Sequence, residues 1–304
     1  MLDRAEVERA RERIAGRVHR TLMLTSRTLG ARLKCELFQR TGSFKARGAL
    51  NKISSLTPAE RERGVIAISA GNHAAAVAYA AAEEDVDALV VMWTGASAQK
   101  LDATRAYGAT VDLEATGPAS AFERLHELIA ETGRTLVHPF DDPVVIAGAG
   151  TVGLEIEEDA PDADAVVVAV GGGGLISGIQ TAIGERVRVI AVEPETSRAL
   201  DAALEAGRSV PVEPRSLADG LNAPFAGEQA IAICRHLERV LVSEEEIEDA
   251  FRLLYERAKL ACEPAGAAAT AAWLGGKIEA RNPVLLVSGG NVAAETAAAI
   301  LARR

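Results

Sequence analysis

Cysteine is scarce in this chain: Cys35, Cys234 and Cys262 are odd in number and widely spaced among 304 residues. They fit neither a disulfide framework nor a metal knuckle, and read as small buried hydrophobes. His19, His126, His138 and His236 show no paired spacing with cysteine or acids, which argues against a transition-metal site. No Gly-x-Ser-x-Gly elbow and no Walker loop occurs. Basic blocks are missing as well. At a formal net charge of -10, nothing offsets the repulsion from nucleic acid or an anionic membrane, so neither is expected as a partner. The N-terminus is charged from Asp3 and lacks the apolar core of a secretion signal, so the expected compartment is the cytoplasm. One stretch, Ala165 to Gly184, has no ionisable residue over about the length that spans a bilayer. Its glycines, Gly171 to Gly174, would break a spanning helix in the middle; a buried strand, a glycine turn and a helix from about Leu175 explain the run.

What is present is an α/β rhythm. Apolar runs at Val65 to Ser69, Ala88 to Trp93, Thr110 to Glu114, Thr135 to His138, Ala165 to Val170, Val187 to Glu193, Val240 to Ser243 and Val284 to Ser288 alternate with alanine-rich segments. Continuous apolarity, as in Ala-Val-Val-Val-Ala-Val, indicates strands covered on both faces and hence a mostly parallel sheet. Helices are expected over Asn72 to Glu84, Ser97 to Tyr107, Ala119 to Thr132 and Glu244 to Leu260, the last capped by Ser243 with three glutamates in its first turn. No Pro/Gly/Ser linker and no solenoid repeat marks a boundary, so two interleaved lobes are expected: residues 56–140 as a smaller lobe inserted between 1–55 and 141–304. The cleft between such lobes is a favoured ligand site.

The chemistry gathers at three glycine motifs. Lysine is rare, six residues against 27 arginines, so amines able to form an imine are few. Lys45 stands out through its neighbours: Gly42, Ala46 and Gly48 permit close packing, and Ser43 can cap a helix beginning beside it. Gly171 to Gly174 follow a buried strand and open a helix, the geometry in which backbone amides and the helix dipole collect a phosphate; a plain tight turn would need only one or two glycines. Ser69-Ala70-Gly71-Asn72-His73 lies at another strand-to-helix turn and could receive a carboxylate, though alone it reads as an ordinary turn. Ser288 to Asn291 forms a third such end. All would meet at the carboxyl edge of a sheet, where open α/β folds bind ligands. An amine, an amide cage for phosphate and polar groups to fix a ring are what pyridoxal phosphate requires.

At these residues the sequence resembles the serine/threonine dehydratase group of fold-type II pyridoxal-phosphate enzymes, from about Arg13 to about Asn291. The resemblance implies a tryptophan synthase β-like α/β fold of two lobes, each a mostly parallel sheet flanked by helices. It implies that Lys45 binds the cofactor aldehyde and later serves as the base at the substrate Cα. Phe44 would pack on the ring, Asn72 would bond its hydroxyl, and Ser288 its nitrogen. The amides of Gly171, Gly172, Gly173 and Gly174 with Leu175 would hold the phosphate, while Ser69, Ala70, Gly71, Asn72 and His73 would form the substrate-carboxylate loop. The implied reaction converts L-threonine, L-serine or a related 3-hydroxy amino acid to a 2-oxo acid and ammonia, in a homo-oligomer, a dimer by resemblance. Racemases of the group commonly carry a hydroxyl where this chain has Ala70, so elimination is favoured over serine or hydroxyaspartate racemisation. A β-replacement enzyme and a carrier without turnover stand behind these, the carrier disfavoured by the intact Lys45 and carboxylate loop. The chain ends soon after Asn291, so no regulatory domain is expected. Glu193 matches the first acidic ligand of a divalent-cation site in some relatives, whereas the second position is Ala199, so a cation is a candidate on Glu193 alone. Ala75-Ala76, Trp93 and Leu221-Asn222-Ala223-Pro224 depart from the group's usual residues, and bear on preference for the substrate side chain.

Overall fold

The computed structural model describes residues 2–96 and 98–303. In chain order the elements are α1 (Arg4–Ile14), β1 (Met23–Ser26), β2 (Ala31–Cys35), α2 (Lys45–Ser54), α3 (Pro58–Arg63), β3 (Val65–Ile68), α4 (Asn72–Glu83), β4 (Ala88–Trp93), α5 (Ala98–Ala106), β5 (Thr110–Ala115), α6 (Pro118–Thr132), β6 (Thr135–Leu136) and α7 (Pro143–Asp159). There follow β7 (Ala165–Ala169), α8 (Gly174–Ile183), β8 (Arg188–Pro194), α9 (Ala199–Ala206), α10 (Glu228–Cys234), β9 (Glu238–Val242), α11 (Glu244–Leu253), α12 (Pro264–Leu274), β10 (Pro283–Val287) and α13 (Ala294–Ala302). The strands form two sheets, β1-β2-β10-β7-β8-β9 and β5-β4-β3-β6. Every pairing is parallel except β1 with β2. Among the described residues no helix is long and apolar enough to cross a membrane.

Parallel strands are covered on both faces because their crossovers are helices, and β7 shows it. Ala165, Val167 and Ala169 pack with residues of α11 and α12, while Val166 and Val168 pack with residues of α7 and α8. In the smaller sheet Val65 and Ala67 meet the alanines of α4, and Ile66 and Ile68 meet Ala121, Leu125 and Leu128 of α6. The three cysteines are buried and free.

Several expectations need correction. The strands β1 and β2 and the helices α1, α3 and α7 were not evident in the sequence pattern. The helix expected over Glu244 to Leu260 stops at Leu253 and passes into a π-turn over Leu254–Ala258, after which Lys259 takes φ +59°. A single left-handed residue there ends the helix and redirects the chain toward Glu263. Ser243 caps α11 as expected, its hydroxyl accepting from the Glu246 amide. Ser43, in contrast, caps nothing: Phe44 occupies the N-cap of α2, and the buried Ser43 hydroxyl has no protein partner among the described residues. Ser97, expected to open the helix now seen as α5, lies outside the described residues.

The helix that carries Lys45 is anchored by charge. Arg47 is fully buried; its Nε and Nη2 each donate to Glu36 at 2.8 Å, and its Nη1 donates to Glu155 of α7 at 2.7 Å. Lys34 of β2, also fully buried, meets the other Glu155 oxygen at 2.7 Å. Burial opposes ionisation of Glu155, but Arg47 and then Lys34 outweigh it and hold the carboxyl below the usual glutamate range. α2 also lies so close to α7 that a Cβ on Gly48 would stand 2.7 Å from the Val145 carbonyl oxygen. Replacing Arg47 by Met leaves buried Glu36 without its cation and Glu155 with Lys34 alone, so Arg47→Met is expected to destabilise the protein by about 3–5 kcal/mol in urea unfolding at neutral pH. A carboxyl held below its unfolded value stabilises the fold above that value and loses the contribution on acidification, so part of the stability difference between wild type and variant should disappear in acid.

Candidate active site

A cavity of about 540 Å³ opens where the carboxyl ends of both sheets face one another. Phe44, Lys45, Ser69, Ala70, Gly71, Asn72, His73, Gly171, Gly172, Gly173, Gly174, Leu175 and Ser288 all line it, so the residues singled out as cofactor- or carboxylate-binding converge on one space. Glu193 does not; at the end of β8 it is buried, and its two oxygens accept from the amides of Leu200 and Asp201, both at 2.8 Å. It thus caps the start of α9. Burial pushes its carboxyl up to about 8 against those two hydrogen bonds. No group of three or more His, Cys, Asp or Glu side chains placed to hold a metal ion occurs among the described residues.

Lys45 sits at the start of α2, its Nζ donating to the Pro139 carbonyl at 2.6 Å and lying 5.2 Å from the centre of the Phe44 ring. The side chain keeps some surface toward the cavity, yet protein packs round it densely enough that burial lowers the ammonium to about 8, with Glu263 acting in the opposite sense. The Gly171–Gly174 turn joins β7 to α8 and is pressed against its surroundings. A Cβ on Gly174 would stand 2.8 Å from the Phe140 carbonyl oxygen, one on Gly172 would enter the Phe140 ring, and Gly173 takes φ +92°. Only glycine satisfies those contacts, and the result is a lip of bare amides at a helix N-terminus, suited to a phosphate.

Asn72 is held by its neighbours. Its Nδ2 donates to Glu263 at 2.7 Å and its Oδ1 accepts from Asn291 at 2.8 Å, while Asn291 also donates to the Thr41 carbonyl at 2.7 Å. One amide hydrogen of Asn72 then remains for a ligand. His73, in the expected carboxylate loop, is buried; burial lowers its imidazole to about 3, and Nε2 meets the Val137 carbonyl at 2.8 Å. It is neutral, so an anion at this loop must rely on backbone amides and the helix dipole of α4 rather than on an imidazolium.

Several lining residues were missed by sequence reasoning. Glu263 reads as an N-cap before the Pro264-led alanine helix, and nothing in that context marks it as a cavity acid; burial, with Asp219 adding to it, pushes its carboxyl up to about 7. Lys100 of α5 forms an ion pair with Asp219, joining the two lobes beside the cavity. Lone charges on a helix and a loop carry no such signal.

The parts fit a phosphorylated aldehyde: an amine that has lost half its charge by about pH 8, a glycine lip with no room for side chains, and, lining the same cavity, a carboxamide held by its neighbours and the Ser288 hydroxyl. Fold and site together define the class, an enzyme that works through such a cofactor. The chain belongs to the pyridoxal-phosphate dependent enzyme family, whose pattern matches residues 15–290. It is 43% identical over 303 residues to the L-threonine dehydratase catabolic TdcB of Escherichia coli (strain K12), across 94% of this chain and 92% of that one. Among solved structures it is similar to a threonine deaminase of T.th., with TM-score 0.90 and 42% identity over 96% of this chain and 99% of that one. It is also similar to maize serine racemase, with TM-score 0.90 and 35% identity over 97% and 95% of the two chains.

The lowered ammonium sets a measurable quantity. In cofactor-free protein, competitive trace acetylation read by mass spectrometry should show Lys45 gaining reactivity through about pH 8, well below the ordinary 10.5. Titration at the ordinary lysine value would remove the argument that burial prepares this amine.

Proposed function

We propose that the protein is a pyridoxal-phosphate-dependent ammonia-lyase that eliminates water from L-threonine, L-serine or a related 3-hydroxy amino acid, giving a 2-oxo acid and ammonia. The observation that carries the reading is the meeting of Lys45, the Gly171–Gly174 lip and the Ser69–His73 loop in one cavity. Bound there, pyridoxal phosphate supplies an electron-withdrawing ring conjugated to the substrate Cα, which acidifies the Cα proton.

The amides of Gly171 to Gly174 and Leu175 would hold the phosphate of that cofactor, the remaining Asn72 amide hydrogen would be available to its ring hydroxyl, and Phe44 would pack on its ring. The Ser69–His73 amides fix the substrate carboxylate, which leaves the Cα proton to the Lys45 amine; a base near 8 is matched to neutral conditions. Ser288, which lines the same cavity, would meet the ring nitrogen. A hydroxyl would not hold that nitrogen protonated as a carboxylate would, and this choice of Ser288 would favour departure of the β-hydroxyl. Loss of the Cα proton and the Cβ hydroxyl together removes one water. The unsaturated amine tautomerises and takes that water back, releasing ammonia and the 2-oxo acid.

Ala70 gives the opposite face of Cα no hydroxyl from which to be reprotonated, and this favours elimination over racemisation. A homodimer working in the cytoplasm is part of the proposal. A divalent cation is not, because both Glu193 oxygens already accept backbone amides.

Two measurements test the reading. Lys45→Ala should lower formation of ammonia and 2-oxo acid from threonine and serine by at least about a thousandfold; a variant as active as wild type removes the assignment. Ala70→Ser should raise the ratio of racemised to eliminated serine, and an unchanged ratio removes the argument from that face.

A further inference from the structure

We propose that the preferred substrates are β-hydroxy amino acids whose β-carbon carries an apolar group, aryl above all, and that Trp93 selects them; this rests on the elimination reading above and narrows it. The argument begins beside the carboxylate loop. Ile68 directly precedes Ser69, whose amide donates to the Val91 carbonyl at 3.1 Å, and β4 runs on from there to Trp93. Ile68, Trp93, Pro118 and Phe122 line the cavity. They are not loosely placed: Ile68 belongs to the core between β3, β4 and α6, and Trp93 and Phe122 pack against the same cluster. Phe122 is linked to a second lining ring, Phe140, through Phe225, which does not itself line the cavity. Phe122 lies 6.3 Å from Phe225 between ring centres, and Phe225 lies 5.4 Å from Phe140, the ring that backs the glycine lip.

Charge points the same way. The titratable side chains lining the cavity, among the described residues, are Lys45, His73, Lys100, Asp219 and Glu263. Lys45 is the reacting amine and His73 is neutral against Val137. Lys100 is paired with Asp219, and Glu263 accepts from Asn72. None is left to partner a charged β-substituent, which would pass from water onto an aromatic wall and lose its hydration. The hydrogen of serine leaves that wall wet, the methyl of threonine covers part of it, and a phenyl group can stack on Trp93.

The test uses the holoenzyme and compares kcat/KM for ammonia release from threo-3-phenylserine, threonine, serine and 3-hydroxyaspartate. Phenylserine is expected to exceed serine by at least about tenfold, the discrimination an apolar pocket gives one well-filled group. Trp93→Ala should lower the phenylserine-to-threonine ratio by about tenfold or more, with Trp93→Phe keeping most of it. Should Trp93→Ala not fold by thermal melt, the wild-type ranking decides alone. Phenylserine turned over no better than serine, 3-hydroxyaspartate ranking first, or a ratio unmoved in a folded Trp93→Ala variant each overturns the proposal. In those cases elimination itself still stands on the oxo acid made from threonine. No oxo acid from any of the four overturns both readings.

Discussion

The fork of Arg47 on Glu36 is the contact on which the site depends. It lies two residues from Lys45 on the same helix, is closed from solvent, and makes two charge-assisted hydrogen bonds to one carboxylate. Glu36 follows β2, and Glu155, the other partner of Arg47, stands on α7; the ion cluster therefore ties α2 to the larger sheet and to the helix beneath it. A buried cation costs desolvation, and replacing such clusters by hydrocarbon is often neutral for stability. What hydrocarbon lacks is direction. A bidentate guanidinium fixes both the rotation and the height of α2, and the lysine amine has to reach its ligand within a few tenths of an ångström.

Electrostatics in the cavity follow from the same enclosure. Burial lowers Lys45 and His73 and raises Glu263, so three neighbouring groups are all displaced toward their uncharged forms. That is the expected direction for each when water is removed. The consequence is a floor whose own charges are weakened, and in the proposed reading a phosphate and a carboxylate would bring negative charge there for the N-termini of α4 and α8 to answer.

Much of this was legible in the sequence, because turns that expose amides at strand ends must be written in glycine and short polar residues. The segments Ser69 to His73, Gly171 to Leu175 and Ser288 to Asn291 each stand where the chain leaves a parallel strand, and the topology brings them together. Parts that depend on tertiary partners were not legible. Ala-Arg-Leu-Lys-Cys of β2 sets Ala31, Leu33 and Cys35 against the core, but Lys34 on its other face is just as buried, under Glu155, which sequence pattern alone cannot tell from a solvated lysine. The helix α7 holds Gly148, Gly150 and Gly153, poor helix formers in isolation. Their absent side chains admit Arg47 and Gly48 of α2 and Gly178 and Ile179 of α8. Ser43 looked like a cap because caps are written in serine, yet its backbone joins an isolated antiparallel bridge to Gly289 instead.

The cavity also separates two tasks that sequence motifs merge. In the proposed reading the residues that hold the reacting atoms come from the larger sheet, α2, the turn after β3 and the first turn of α4, and their chemistry is polar backbone, amine and hydroxyl. Those proposed to face the outer end of a substrate come largely from the smaller lobe, and their chemistry is the rim of a hydrophobic core. Changing Trp93 or Phe122 alters a surface continuous with Ile68 and Val91 and leaves the Arg47 anchor untouched. Side-chain preference can therefore drift without disturbing the amine, whereas a change at α2 would move the amine and both lobes of the cleft with it.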